Sequence, residues 1–230
     1  MNRKLTAALL ITAAVLTNVA FTALGSIFNY PDILKEPTDD ILTAFRGSPG
    51  AIAGWFTVMA ISAALFAPIA LGVGRLSTSR VMRAAVVAGV GAAVVQAIGL
   101  SRWPLLVPGY AADATNADPT VAAAARHSFE TAHHILGNLV GETFGYLLTA
   151  AWTLLVLTAI GRTIAGRWFT VLGAGSAVLI LAGVLSPLNL PGIDMANFVG
   201  YVLWSIWLIA FAVVLVRAPK TAPALSGAGV

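Results

Sequence analysis

His127, His133 and His134, all the histidines of the chain, share the stretch RHSFETAHHILGNLVGETFG (126–145) with Glu130, Glu142 and Asn138. Two kinds of chemistry suit these residue types. One is ligation of a single divalent metal ion through nitrogen and oxygen, with His127, Glu130, His133 and His134 as candidate donors. The other is metal-free acid–base work or ligand binding. An imidazole beside a carboxylate titrates near neutrality, and a carboxylate at a membrane boundary is readily shifted. For that reading the candidate catalytic residues are Glu130, His134, Glu142 and Arg102, with Asp113, Asp118 and Asp194 available on the same side. The plain alternative is a helix end projecting into water, with Arg126 and Glu130 as a surface i,i+4 pair worth about 0.5 kcal/mol or less.

Several chemistries are excluded. Glu130-x-x-His133 is the spacing of di-iron bundles, but such a centre needs a second copy and no further histidine exists. All three histidines sit on one segment, so a haem held by histidines of two helices is excluded. No glycine-rich phosphate loop, His-Glu-x-x-His or nucleophile elbow occurs, and no nucleotide cofactor is expected. The chain has no cysteine, which removes disulfides, thiolate metal sites and cysteine nucleophiles.

What must position these residues is a membrane bundle. The 230 residues are 59% hydrophobic and 10% charged, with mean hydropathy +0.90. A soluble domain carries roughly 25% charged residues. Six apolar runs, 5–28, 51–74, 84–101, 139–160, 169–185 and 197–216, each approach the ~20 residues that cross a bilayer. The expected fold class is all-α, a single polytopic membrane domain over 1–230 with 217–230 as a tail. The first run is longer than the roughly 7–15 apolar residues of a cleavable signal, so it reads as a retained helix.

Nine of the thirteen Lys and Arg residues lie in the N-terminus, the 75–83 loop, the 162–167 loop and the tail, none of which holds a carboxylate. Seven of the nine carboxylates lie in the alternate loops. Lysine and arginine excess marks the cytoplasmic side. Both termini are therefore expected inside and the long acidic loops outside, in the inner (plasma) membrane of a cell. The net charge of +4 then reports topology, and nucleic acid is not an expected partner. The bilayer and a small or lipid-like ligand are; the sequence sets no oligomeric state.

The acidic side has material for a vestibule. Residues 38–45 suit a short amphipathic helix, capped by Thr38 or Asp39 and lying at the interface. Pro104 and Pro108 end the third span, and Pro119 opens a helix through the alanines that follow. No strong breaker separates Val121 from Ile160. At ~1.5 Å per residue, Arg126 to Arg162 covers about 54 Å, against a hydrocarbon layer of ~30 Å. Glu142 then falls near the outer boundary and Glu130, His133 and His134 beyond it. The helix either projects outward or bends near Gly137 or Gly141.

At ~100° per residue, Glu130, His134, Gly141, His127 and Gly145 share one face. Glu130 and Glu142 stand ~18 Å apart along the axis, too far for a paired-carboxylate mechanism. Gly137, Gly141 and Gly145 form a ladder suited to close helix packing. Arg102, at the depth expected of Glu142, is its expected ion-pair partner. Trp103, Trp152, Trp168, Trp204 and Trp207 read as interface anchors.

The segments FNYPDIL, HSFETAHHILGNLVGETFGYLLTAAWTLL, GRWFTVLGAGSAVLILAGVL and YVLWSIWLIAFAVVL resemble a bacterial family of six-helix integral membrane proteins, catalogued as a domain of unknown function. The resemblance covers most of the chain. It implies the architecture and transfers no catalytic residue. The functional expectation is an outward-facing Glu/His site that binds or converts a small or lipid-like molecule. Acid–base chemistry on an isoprenoid-like substrate by a membrane-embedded enzyme is one form of it. The alternatives are a transporter, sensor or accessory subunit, or a mononuclear metal-binding membrane protein; enzyme or not stays open.

Overall fold

A computed structural model describes residues 2–188 and 190–217; the expected tail beyond Arg217 lies outside the described residues. Among these there is no strand, and six helical units are long and apolar enough to cross a membrane. They are α1 (Arg3–Phe28), α3 (Pro49–Gly74), α4 (Arg80–Leu105) with its extension α5 (Val107–Asp113), a composite fourth unit, α9 (Arg167–Ala182) with its 3-10 continuation (Gly183–Leu188), and α10 (Ile193–Arg217). The fourth unit joins α6 (Pro119–Ala132), a π-helical stretch (His133–Phe144), α7 (Gly145–Val156), a π turn (Leu157–Gly161) and the short α8 (Arg162–Ile164). The amphipathic α2 (Thr38–Gly47) lies between the first two units.

Each unit packs on the next in chain order: α1 on α3, α3 on α4, α4 on the π stretch and α7, α7 on α9, and α9 on α10. α10 then returns to α1 and closes a six-helix ring. One end carries the short basic connections, the other the acidic ones. Local caps mark the helix starts. Asn2 Oδ1 accepts from Leu5 N at 2.8 Å, Ser79 Oγ from Met82 N at 3.1 Å, and Asp118 Oδ1 from Thr120 N at 2.8 Å ahead of Pro119.

Three expectations change. α4 does not stop before its prolines: it runs through Pro104 to Leu105, and Pro108 instead sits in the first turn of α5. Proline inside a spanning helix is tolerated where neighbours satisfy the freed backbone. α2 forms, but Pro37 precedes it without a side-chain cap, and Thr38 and Asp39 lie inside its first turn. Its apolar face is covered by protein rather than lipid, since Ile41, Leu42 and Phe45 are buried in one cluster with Phe28, Phe56 and Trp103. The tryptophans divide as well. Trp103, Trp152 and Trp207 are fully buried, Trp204 is partly buried, and of the five only Trp168 is largely exposed.

The buried indoles are core because aromatic partners surround them. Trp103 stacks on Phe56 at 4.6 Å near the acidic end. Trp152 meets Phe66 edge-on at 4.7 Å and Trp207 at 5.7 Å in the second cluster, toward the basic end. Inter-helix polar pairs join the ring between its ends. Thr17 and Ser62 hydroxyls bond at 2.8 Å, Asn18 Nδ2 donates to Ser205 Oγ at 2.9 Å, and Gln96 Nε2 donates to Thr149 Oγ1 at 3.0 Å. Such bonds hold membrane helices together where lipid offers the backbone no hydrophobic contrast.

Candidate functional site

The site grows out of the contact between α4 and the π stretch. The expected glycine ladder supplies that contact: Gly141 meets Gly99, Gly137 makes room for the Arg102 guanidinium, and Gly145 makes room for Gln96. A Cβ at Gly137 or Gly145 would displace the Arg102 or Gln96 side chain, and one at Gly141 would press on the Gly99 backbone at 3.1 Å. The ladder thus brings the polar side chains of α4 directly against the fourth unit.

Arg102 is only 5% exposed. Its Nη1 donates to its own helix at Gly99 O, 2.5 Å away, its guanidinium carbon lies 5.2 Å from the Trp103 ring centroid, and its Nε has no hydrogen-bond partner. A guanidinium has five N–H donors, so one carbonyl leaves it underused in a low-dielectric setting. The expected ion pair with Glu142 is not among the ion pairs of the described residues, because the guanidinium turns back toward Gly99 and Gly137.

Glu142 is half-buried, and among the described residues no hydrogen bond or ion pair holds its carboxylate. Phenols collect around it. Burial pushes the Tyr30 hydroxyl above the ordinary tyrosine range, the Glu142 carboxylate adds to the shift, and Arg102 works against it. Tyr30 follows α1 and meets Phe21 at 5.4 Å and Phe56 at 5.3 Å, both edge-on. Tyr146 and Tyr201, with ring centroids 5.9 Å apart, lie within electrostatic reach of the same carboxylate. Glu142, Tyr30, Arg102, Tyr146 and Tyr201, from α4, the fourth unit, α10 and the segment after α1, thus lie within range of one another's charge.

The rest of the predicted cluster lies toward the rim. His127, Glu130 and His134 are exposed. Glu130 accepts from Thr38 Oγ1 at 2.9 Å, and Arg126 Nε donates to Asp39 at 2.5 Å, so the Arg126–Glu130 pair of the plain alternative gives way to contacts with α2. His133 is buried, stacks on Phe129 at 5.7 Å and meets His134 at 5.9 Å; its Nδ1 has no partner. Among the described residues, no three His, Asp or Glu side chains gather in a metal-holding group. On the far side, Lys35 Nζ reaches Asp194 at 2.7 Å, which holds the ammonium above its ordinary range.

The stretch is also wound unusually. His133–Phe144 is π-helical, with Thr143 Oγ1 donating to Asn138 O five residues back at 2.9 Å. The i→i+5 pattern widens the turn. Phases counted at ~100° per residue therefore do not carry across it. π-Helical winding is rare, and π turns within helices are frequent at functional sites. The tyrosines escaped sequence reasoning, although Tyr30 lies in the FNYPDIL segment and Tyr146 stands four residues after Glu142.

A family model described as a domain of unknown function (DUF4386) matches residues 5–212. No curated protein and no solved structure matches the chain.

Proposed function

The chain belongs to the DUF4386 family, and we propose that it is a multi-pass membrane protein that binds a small or lipid-like molecule at the Glu142 site. The observation that carries this reading is the Glu142 carboxylate itself. Among the described residues it stands in a spanning unit without a hydrogen bond or ion pair, within electrostatic reach of three phenols and an underused buried arginine. Keeping ionisable groups at such a depth is costly, and their default role is functional. Phenols donate to a polar headgroup, Arg102 favours one carrying negative charge, and the surrounding aromatic rings suit an apolar body. The charge bias supports an outward orientation for the acidic end. Glu130 and His134 then line the rim of the approach, and Glu142 is the group able to exchange a proton with what binds.

The test is to purify the protein in mild detergent and identify co-purifying small molecules by mass spectrometry. Wild type should retain a species that Glu142→Gln loses and Tyr30→Phe retains more weakly. Glu130→Ala and His134→Ala should reduce it only modestly. Identical contents in wild type and a folded Glu142→Gln variant would refute the reading. Loss confined to the Glu130 and His134 variants would move the site to the rim.

A further inference from the structure

At the opposite, basic end the helices leave a cleft of about 280 Å³ between the start of α1 and the end of α3. Arg3, in the first turn of α1, and Arg75, just after α3, both line it. A second cavity of about 160 Å³ adjoins and shares Arg3, Leu76 and Leu215 with it. That extension is walled by Ile160 and Ile164 and carries one hydroxyl, from Thr163. Among the described residues, no carboxylate lines either part.

We propose that this cleft binds a phosphate ester, with the anion on Arg3 and Arg75 and its apolar portion along Leu76, Ile160 and Leu215. Three features point the same way. Two guanidiniums from separate elements converge on one cavity, and each has five N–H donors in a planar fork that matches phosphate oxygens, so it holds an anion alongside other partners. The cleft and its extension, about 280 and 160 Å³, suit a headgroup and the start of an attached chain. The apolar extension runs along helices long enough to span a membrane, where an acyl or alkyl chain would follow. A phospholipid headgroup and a free glycerol phosphate share this chemistry. The site is independent of the Glu142 site in position and ligand.

Native mass spectrometry of the full chain tests it, with phosphatidylglycerol, phosphatidylcholine and glycerol phosphate added separately. Phosphatidylglycerol should bind at least tenfold better than phosphatidylcholine. Combined Arg3→Gln and Arg75→Gln should remove that preference, while Arg80→Gln should leave it unchanged. Leu76→Trp keeps both charges but fills the cleft, and should weaken binding by a similar factor; it decides the matter if the double variant fails to fold. Glycerol phosphate binding as tightly as phosphatidylglycerol would identify a soluble phosphate ester as the ligand, and phosphatidylglycerol alone a lipid. Equal binding of phosphatidylcholine, or undiminished phosphatidylglycerol binding by the folded double variant or by Leu76→Trp, would overturn the proposal.

Discussion

Gly99 of α4 and Gly141 of the π stretch meet backbone to backbone: a Cβ on Gly99 would stand 2.6 Å from the Gly141 Cα and 2.8 Å from Leu136 O. Neither obstacle is the end of a flexible side chain, so the helices themselves must part. Gly99→Ala should cost about 1–3 kcal/mol, as overpacking does, and should disturb the Arg102 and Glu142 positions that depend on this contact. Gly54→Ala, where a Cβ meets nothing within 4 Å, should be neutral or slightly stabilising. Thermal unfolding in detergent compares the two.

Tyr30 should report on its charged neighbours. Because the Glu142 carboxylate raises its phenol and Arg102 lowers it, Glu142→Gln should bring the titration down and Arg102→Gln should push it further up. Burial, the largest cause, keeps it above the ordinary value in both. The linked stability has a definite sign. A raised folded-state pKa contributes fully below the unfolded tyrosine value of about 10 and is lost as pH rises through the folded value. Ultraviolet difference titration against Tyr30→Phe isolates this phenol.

The aromatic core should be far more sensitive than the surface. Trp152 is wholly buried against Phe66 and Trp207, and Trp152→Ala should cost about 3–5 kcal/mol. Trp168 is 54% exposed, and Trp168→Ala should leave the unfolding temperature nearly unchanged. Equal effects would place the two indoles in equivalent surroundings.

α2 is held over the acidic end by two polar contacts to α6, Thr38 to Glu130 and Asp39 to Arg126. Both are exposed, and each should contribute about 1 kcal/mol or less. Combined Thr38→Ala and Asp39→Ala should speed hydrogen exchange in residues 38–47 and leave the spanning helices unaffected. Protection that stays unchanged would assign the hold on α2 to Ile41, Leu42 and Phe45 and to the Arg46 bond to Ala111 O.

Lys35 ties the segment after α1 to the start of α10 through Asp194. Its side chain is 56% exposed, so Lys35→Met should cost about 1 kcal/mol or less, and high salt should narrow the gap to wild type. With the ammonium held above its ordinary range, that contribution is present below the ordinary lysine value and fades as pH rises through the raised one. Melting curves of both proteins across that range measure it.

Six spans and the segregation of charge were legible in the sequence, because apolar run length and loop composition answer to a bilayer of fixed thickness. The glycine ladder was legible as a packing face for the same kind of reason: small residues four apart stay aligned on any ordinary helix. Only tertiary structure decided what met that face, namely Gly99, Arg102 and Gln96 of α4. It also decided that the buried tryptophans are core and that α2 covers the bundle, since burial depends on aromatic neighbours distant in sequence. The histidines were the visible signal at 126–145, yet His127 and His134 stand exposed toward the rim while Glu142 is half-buried. Tyr30, Tyr146 and Tyr201 come to that carboxylate from three separate elements. Spacing along one helix sets which residues share its face, but a site assembled from several helices exists only once the ring closes.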